Sequence, residues 1–416
     1  MHRVIAAVLA ATLCAQAAQA QTAPPGGERL TLPQALELAG AGAPAVEAAN
    51  AGLRAAQAQR RIAGLRPNPT ASLEAENVAG SGPYAGIQSV EATASLSLPI
   101  ELGGKRSARI GVADAETRRA SLAASVSEAD LALRVTQAFS TLAAAELRTS
   151  IMREQAGFAR EGLRVAQVRV RAGRASPLEA ERAEVARVNA ETAADRADRA
   201  ARLARANLSR LIGRDPGEID TSWFDRVALG RRPATTAQGS LALATARADT
   251  DIADAQLRLA RSQRIGDLTV SAGARRLEAT NDVAAVVGVS IPLPLFNNGR
   301  AAVDAAQAER DQAAALARAA RIEAEQAIAT AENDLADAEA NARSAAGPAL
   351  AAAQEAARIA RIGYREGKFG QLDLLEAERT LAETRAAAID ALAAYHDAEA
   401  RLTRLTARAP ITEDKP

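Results

Sequence analysis

The chain of 416 residues has few aromatic, histidine and cysteine side chains. Aromatic residues make up only 2% of it, too few to fill a thick globular core, so thin helix pairs with alanine contacts are expected. The net charge of +1 gives no basic surface for nucleic acid. Neither an enzyme nor a cofactor is indicated, since Gly-x-Ser-x-Gly, phosphate-loop and His-Glu-x-x-His motifs are all missing. His396 is expected to be an exposed helical residue.

The only cysteine lies in an N-terminal segment that is typical of a secretory signal. Val4–Leu13 is apolar, and Ala18–Ala20 offers a small-residue cleavage site, so residues 1–20 are predicted to be removed. Lipidation of Cys14 is disfavoured because Leu13 precedes it, where a small residue is required. The mature chain then has no thiol for a disulfide or a thiolate metal site. The rest of the sequence contains no run of about 18 apolar residues, so no membrane-spanning helix is predicted there.

Helical and alternating patterns follow one another in the same order in both halves of the chain. After a flexible leader (21–31), the first repeat (32–212) is predicted to contain a helix at 32–65, strands at 70–78 and 88–98, and helices at 107–171 and 177–212. The second repeat (240–408) is predicted to contain a helix at 240–264, strands at 267–276 and 284–293, a helix at 301–364 with a kink at Gly347-Pro348, and a returning helix to 407.

Prolines and an irregular stretch mark the boundaries of these elements. Pro99 is expected to end the second strand. The connection at 213–239 separates the repeats, and Trp223 and Phe224 are expected to pack within it. A polar tail occupies 409–416.

Two glycine turns interrupt the long helical patterns. They lie in Gly173–Arg182 and Gly367–Glu376, and their first glycines are 194 positions apart, as are the following leucines and Ala-Glu pairs. Either turn alone would be an ordinary hairpin, but the constant offset argues for internal duplication. The seven-residue spacing of Ile151, Phe158 and Val165 in the first long helix suits coiled-coil packing.

Four predicted strands alternate in polarity, as strands of membrane barrels do. Four strands cannot close a barrel, and an open sheet edge is not tolerated in lipid. If they span a membrane, several chains must share one barrel, and three chains would give twelve strands. Barrels usually carry aromatic girdles, whereas these strands and their flanks offer little beyond Tyr84 and Phe296.

The duplicated strand–helix plan, the signal segment and the paired turns resemble the TolC-type outer-membrane efflux factors over nearly the whole mature chain. Glu101–Arg106 after a strand and Arg66–Pro69 before one resemble the cobalt–zinc–cadmium (CzcC-like) branch. The resemblance implies a mainly helical homotrimer in outer-membrane lipid, with a twelve-stranded β-barrel and a long periplasmic α-barrel. It also implies docking to a periplasmic adaptor protein and an inner-membrane RND-type pump, and export of divalent heavy-metal cations.

The resemblance also implies a channel gate at the helix that follows the second turn. The family closes its periplasmic mouth with carboxylates, and Asp373 and Glu376 match those positions. Their spacing of three places both on one helix face, in the first turn, where the helix dipole favours negative charge. Stabilisation of the helix start is the alternative role. In the first repeat the same offsets fall on Glu179 and Arg182.

The two turns are short and polar and lie at the far ends of the predicted hairpins, where a partner could reach them. The residues expected to contact the adaptor are Gly173, Ser176, Gly367 and Gln371. Acidic pairs such as Glu376 and Glu378 are otherwise expected to be solvated. Phe369 stands where drug-exporting members can carry a basic residue.

Other functions remain open at this stage. Within the family, an outer-membrane channel for drug efflux or type I secretion is the alternative to metal export. A periplasmic coiled-coil adaptor or structural protein would share the helical hairpins. It would not require paired alternating strands at matching places in both halves.

Overall fold

The computed structural model describes residues 29–228 and 236–410. Four predicted segments therefore lie wholly or partly outside the described residues. They are the signal peptide at 1–20 with Cys14, residues 21–28 of the leader, residues 229–235 of the connection and residues 411–416 of the tail.

Within the described residues the chain forms eight α-helices and four strands, and the helices hold most of the residues. In chain order the elements are α1 (Leu32–Gly40), α2 (Pro44–Ala63), β1 (Thr70–Glu76), β2 (Glu91–Ile100), α3 (Lys105–Arg171), α4 (Pro177–Ile212), α5 (Leu241–Gln263), β3 (Leu268–Leu277), β4 (Asp282–Ser290), α6 (Arg300–Ser344), α7 (Leu350–Arg365) and α8 (Gln371–Leu405). The prediction of a mainly helical chain with four strands is confirmed.

The single helix predicted over 32–65 is wrong, because two helices occupy this stretch. α1 ends at Gly40, and α2 begins at Pro44. Proline has no backbone N–H and a fixed φ, so it suits the first position of a helix but not its interior. The chain therefore starts a new helix at Pro44 instead of continuing the first one.

The expectation that Pro99 ends a strand is also wrong. β2 runs on to Ile100, and Pro99 lies opposite Thr269 of β3. On the other side of β2, pairing with β1 reaches no further than Ser97. Pro99 thus lies where β2 has only one neighbour, and a residue without an N–H is tolerated there.

The expected kink near Gly347-Pro348 is confirmed. Ala345–Ala349 forms one π-helical turn between α6 and α7, and Gly347 has φ −102° and ψ −106°, outside the helical range. A proline inside a helix removes one backbone hydrogen bond and clashes with the preceding turn, which is a recognised cause of such kinks.

The four strands form one antiparallel sheet in the order β1-β2-β3-β4. Its two faces differ sharply, because side chains alternate along each strand. In the ladder, Leu73 lies opposite Ala94, Ala94 opposite Ala274, and Ala274 opposite Ala285. The face that contains these residues is apolar apart from Arg276. It carries the exposed side chains of Leu73, Leu96, Val270, Val283, Val287 and Val289.

The opposite face of the sheet is mainly polar or small, although it also carries Leu277 and Val286. A three-strand network lies on it, in which Arg275 of β3 reaches Thr93 and Glu91 of β2 at 2.9 and 2.8 Å. Arg275 also forms an ion pair with Glu76 of β1 at 3.0 Å. β1 and β4 are the edge strands, and in this single chain each has a neighbour on one side only.

The chain divides into two compact units, and each takes segments from both halves of the sequence. The first unit holds the residues up to Ala41 together with Val135–Ala228 and Asn341–Ala394. The second unit holds the remaining segments, including the whole sheet. The division into two sequence repeats at 32–212 and 240–408 is a separate matter and stays a prediction.

In the first unit, α3 and α4 form an antiparallel hairpin. Three ion pairs join them in opposite chain order: Arg160–Glu191 at 3.2 Å, Arg153–Asp198 at 3.0 Å, and Arg205–Glu146. Most of the buried apolar side chains in the described part of the protein are alanines, which allows close approach of the helix axes.

The aromatic residues of the connection pack as expected. Phe224 is buried, and its ring lies 5.7 Å from that of Trp223. Phe139 of α3 lies 6.0 Å from Trp223, whose indole N–H donates to the carbonyl of Asp220 at 2.8 Å. These contacts fasten the connection to the first unit.

The prediction of an exposed His396 is wrong. The side chain is 7% exposed, and its ring lies 5.0 Å from that of Tyr395. Its Nδ1 is 3.8 Å from a carboxylate oxygen of Glu399. The sequence could have indicated this burial, since His396 lies four residues after Leu392 on the buried face of α8.

None of the helices in the described ranges is both long enough and apolar enough to cross a membrane.

Candidate functional site

The second glycine turn is a tight reversal between α7 and α8. Gly367 has φ +71°, which glycine adopts without strain. The N–H groups of Lys368 and Phe369 donate to the carbonyl of Gly363 at 2.8 and 3.2 Å. The ring of Phe369 lies on Gly363, where an added Cβ would come within 2.1 Å of it. Gly363 therefore permits the aromatic ring to close the turn.

Asp373 is part of the local structure that starts α8. Its carboxylate Oδ2 accepts a hydrogen bond from the N–H of Gly370 at 2.9 Å. This is the back-reaching half of a capping box, which satisfies one of the free donors at a helix start. Asp373 is exposed, as is Glu376 one turn later. The structure places both predicted gate residues at the start of α8 and gives Asp373 a capping contact as well.

Glu376 borders an open groove of about 820 Å³ between the helices of the first unit. Arg182, the first-repeat counterpart of Glu376, borders the same groove. Phe158 and Val165, two residues of the seven-residue pattern, also face it. The groove is mainly apolar, and its lining comes from α3, α4, α7 and α8.

The two helix starts differ in their charge because their acidic residues have different partners. Glu179, the counterpart of Asp373, forms an ion pair with Arg169 at 3.6 Å. Arg169 also donates to the hydroxyl of Tyr364 at 3.2 Å. Arg169, Glu179 and Tyr364 belong to the ends of α3, α4 and α7, so these contacts hold the two turns side by side.

A partly buried ion pair involves Glu378, two residues beyond Glu376. Glu378 is 7% exposed, and Arg361 of α7 donates to both of its carboxylate oxygens, with Nη2 to Oε2 at 2.8 Å. The same guanidinium lies 4.9 Å from the ring centre of Phe158 of α3. The pair joins α7 to α8 and contacts α3. Of the acidic pair expected to be solvated, Glu376 is exposed, but the expectation for Glu378 is wrong.

Three of the four predicted docking residues are exposed. Gly173 has φ +66°, and Gly367 likewise lies at the apex of its turn. The hydroxyl of Ser176 caps α4 by accepting from the N–H of Leu178 at 3.3 Å. Gln371 is instead half-buried and borders the groove. Its Nε2 is buried and has no hydrogen-bond partner among the described residues.

Across 29–228 and 236–410, no group of three or more histidine, cysteine, aspartate or glutamate side chains is arranged to hold a metal ion.

The described part of the chain combines a four-stranded antiparallel sheet with long helical hairpins. The family model described as outer membrane efflux protein matches residues 35–214 and 233–408. The chain belongs to this family. It is an outer-membrane protein that extends into the periplasm.

The resemblance to the cobalt–zinc–cadmium branch is confirmed by curated relatives. The cobalt-zinc-cadmium resistance protein CzcC of Cupriavidus metallidurans is 32% identical over 76% of this chain and 77% of the relative. The nickel-cobalt-cadmium resistance protein NccC of Alcaligenes xylosoxydans is 32% identical over 78% of this chain and 72% of the relative.

The fold is shared with solved outer-membrane proteins. The crystal structure of VceC from Vibrio cholerae has a TM-score of 0.74 to this chain at 20% identity, and the match covers 91% of this chain and 96% of VceC. The open-state structure of the MtrE channel of Neisseria gonorrhoeae has a TM-score of 0.74 at 19% identity and covers 90% and 88%.

Proposed function

We propose that this chain is the outer-membrane channel, rather than an enzyme, of a tripartite RND-type efflux system that exports divalent heavy-metal cations from the periplasm. The observation that carries the proposal is the set of curated relatives. Three of them, at 32–35% identity over most of the chain, are named for resistance to cobalt, zinc, cadmium or nickel.

The sheet supports a homotrimer. Both of its edge strands have unsatisfied backbone groups, and one face exposes apolar side chains such as Val287, which is 84% exposed. In lipid such a sheet must close on itself or on copies of itself, because open edges are costly there. Three copies supply twelve strands, with the apolar face toward lipid and the Arg275 network toward the channel interior.

The helix start at Gln371 supports a cation-selective mouth. In a trimer, Asp373 and Glu376 supply two acidic positions per chain to the periplasmic mouth of the channel. Their first-repeat counterparts carry no free negative charge, because Glu179 is paired and Arg182 is basic. Rings of acidic side chains in a pore favour cations over anions. Confinement also keeps salt from screening them fully.

The two turns support docking of a periplasmic adaptor protein, and through it of the inner-membrane pump. The contacts of Arg169 hold both turns together as one surface. Gly173, Ser176 and Gly367 are exposed on this surface, where a partner can reach them.

A resistance assay tests the transport role. A strain that lacks its metal-efflux channel, but retains the pump and adaptor, should regain growth in cobalt, zinc or cadmium when this chain is expressed. The control is the same chain without its signal segment. This variant keeps Asp373 and Glu376 but should not restore growth. Restored resistance to drugs or secretion of a protein, without metal resistance, would contradict metal export.

Cross-linking tests the docking surface. A single cysteine at Ser176 or Gln371, carrying a photoactivatable probe, should cross-link to the adaptor in whole cells. The matched control is Gly82, a glycine with positive φ in the β1–β2 loop, which should give no adaptor product. Equal yields at the turns and at Gly82 would contradict the proposed placement.

A further inference from the structure

The segment that leaves β4 exposes an unusual run of apolar side chains. Leu293 and Leu295 are 73% and 78% exposed, and Phe296 is fully exposed. Ile291 is 52% exposed. Water-exposed apolar clusters of this kind mark contact surfaces. Ile291–Phe296 is called the post-strand segment below.

The first part of the post-strand segment continues the alternation of the apolar face of the sheet. On β4 that face carries the odd-numbered residues, and Val287 and Val289 are both largely exposed. In the sequence the alternation runs on through Ile291 and Leu293, beyond the last residue that pairs with β3. The backbone then turns, because the N–H of Leu295 donates to the carbonyl of Leu293 at 2.9 Å, so this turn and not the alternation places Leu295 and Phe296. The even positions hold Pro292 and Pro294. Since prolines have no N–H to donate, the segment is a poor template for another strand.

The backbone on either side of these side chains is fastened in place. At Gly266 an added Cβ would lie 2.9 Å from the Pro292 ring, so the chains are in close contact there. Arg264 donates through Nε to the carbonyl of Asn298 at 3.2 Å. The side chain of Asn297 accepts from the N–H of Gly299 at 3.0 Å. The apolar side chains thus point outward from a fixed polar turn.

The topology places the post-strand segment at the periplasmic end of the sheet. The connections to α2, α3, α5 and α6 all leave the sheet at one end, whereas the two strand-to-strand loops lie at the other. In this family the helices are on the periplasmic side. A nine-residue strand tilted by about 40° spans roughly 23 Å, close to the apolar band of about 25 Å in outer-membrane barrels.

We propose that the post-strand segment is an interfacial anchor that inserts into the periplasmic leaflet of the outer membrane. Phe296 lies at the headgroup level and the aliphatic side chains lie among the adjoining acyl chains. The inference rests on the proposed membrane-spanning sheet. Aromatic side chains favour this interface in barrels, and Phe296 supplies one at a boundary that is otherwise poor in them. Ile291 and Leu293 continue the alternation of the apolar face of β4, which favours lipid over a second copy as the occupant.

Tryptophan fluorescence tests the anchor in the full-length trimer. Trp223→Phe removes the only native tryptophan, and Phe296→Trp then reports on the segment. Two matched variants in the same background are Val287→Trp on the apolar face of β4 and Ile322→Trp on α6. Ile322 is more than half exposed in the single chain, and it lies about 33 Å along the helix from Arg300. Each protein is reconstituted into phosphatidylcholine vesicles with or without lipids brominated along the acyl chain.

The anchor predicts that the Phe296→Trp protein loses most of its emission when the lipids are brominated near the headgroup, and less when bromine is deep. Val287→Trp should be quenched most by the deep bromines, and Ile322→Trp should not be quenched. Quenching at Val287→Trp without quenching at Phe296→Trp would overturn the anchor and leave the membrane-spanning sheet intact. Emission at Phe296→Trp that is blue-shifted but insensitive to bromine would identify a protein contact and also overturn it. Absence of quenching at Val287→Trp would overturn the membrane-spanning sheet itself.

Discussion

At the residue scale, the capping contact of Asp373 can be separated chemically from its proposed role at the channel mouth. It accepts the N–H of Gly370 at the start of α8, and it carries one of the negative charges assigned to the channel mouth. Asparagine keeps a side-chain oxygen that can accept the same N–H but removes the charge. Alanine removes both, so the two substitutions distinguish capping from electrostatics.

The acidic mouth predicts that Asp373→Asn/Glu376→Gln lowers the cation-to-anion permeability ratio in planar bilayers and weakens block by divalent cations. The trimer and its thermal stability should stay close to wild type, because the capping oxygen is retained. Asp373→Ala should add a loss of about 0.5–1 kcal/mol in the stability of the helix start, measured by circular dichroism. Unchanged permeability in the double variant, with a stability loss only in Asp373→Ala, would leave capping as the sole role.

Single residues also show where sequence reasoning reaches its limit. The place of Asp373 and Glu376 at the start of α8 could be predicted, because the preceding glycine turn is visible in the sequence. Their role as a gate was implied by the family resemblance and stays a prediction. The burial of Glu378 could not, because its partner Arg361 lies on another helix and the pair depends on how α7 packs on α8. His396 could have been predicted as buried from its spacing to Leu392, since that spacing follows the helical period.

At the element scale, the junction between β2 and α3 explains the Gly-Gly-Lys-Arg motif. Gly103 and Gly104 both have positive φ, which turns the chain from strand to helix. Lys105 then forms an ion pair with Asp267, just before β3, at 2.7 Å, and the N–H of Leu102 donates to the same carboxylate at 3.2 Å. Burial is the largest single influence and would raise the pKa of Asp267. The two hydrogen bonds and the positive charges of Lys105 and Arg109 together outweigh it and hold the pKa below its usual range.

This junction predicts an acid-sensitive contribution to stability. A carboxylate whose pKa is lowered by folding stabilises the native state above its ordinary pKa of about 3.9, and the contribution is lost as pH falls through the lowered value. Asp267→Asn should therefore be less stable than wild type at pH 6, by about 0.5–1 kcal/mol after allowance for solvent exposure.

Thermal unfolding of both proteins between pH 6 and pH 2.5 checks the prediction. The difference in melting temperature should shrink below about pH 4, where protonation removes the wild-type advantage. Asp249→Asn serves as the control for general charge effects. It breaks a half-exposed ion pair between Asp249 of α5 and Arg119 of α3. A difference that stays constant down to pH 2.5 would contradict the assigned role of Asp267.

Element boundaries were predictable where local signals were strong. The helix predicted at 177–212 has the observed bounds of α4. Ser176 caps its start and Pro177 is its first residue, whereas Gly213 ends it in the left-handed conformation. Strand ends were less predictable. Pro99 stays within β2 only because its neighbour β1 has already ended, which is a property of the sheet and not of the local sequence.

At the scale of the whole molecule, the strand count constrains the assembly. One chain supplies four strands with two open edges, and such edges are not stable in lipid without further copies. The need for several chains could be argued from the sequence alone, because four strands are too few to close a barrel. The sheet order, in which β2 and β3 from different halves of the chain are neighbours, required the structure.

The proposed trimer, closed by pairing of β1 in one chain with β4 in the next, can be tested by cysteine cross-linking in outer membranes. Leu73→Cys is combined in turn with cysteine substitutions on the same face of β4: Val283→Cys, Ala285→Cys, Val287→Cys and Val289→Cys. A disulfide needs Cβ atoms about 3.5–4.5 Å apart, so only one register, or two adjacent ones, should react. We expect covalent products of up to three chains for that register, and no covalent product from either single-cysteine variant. Monomers at every register, or ladders that continue beyond three chains, would contradict it.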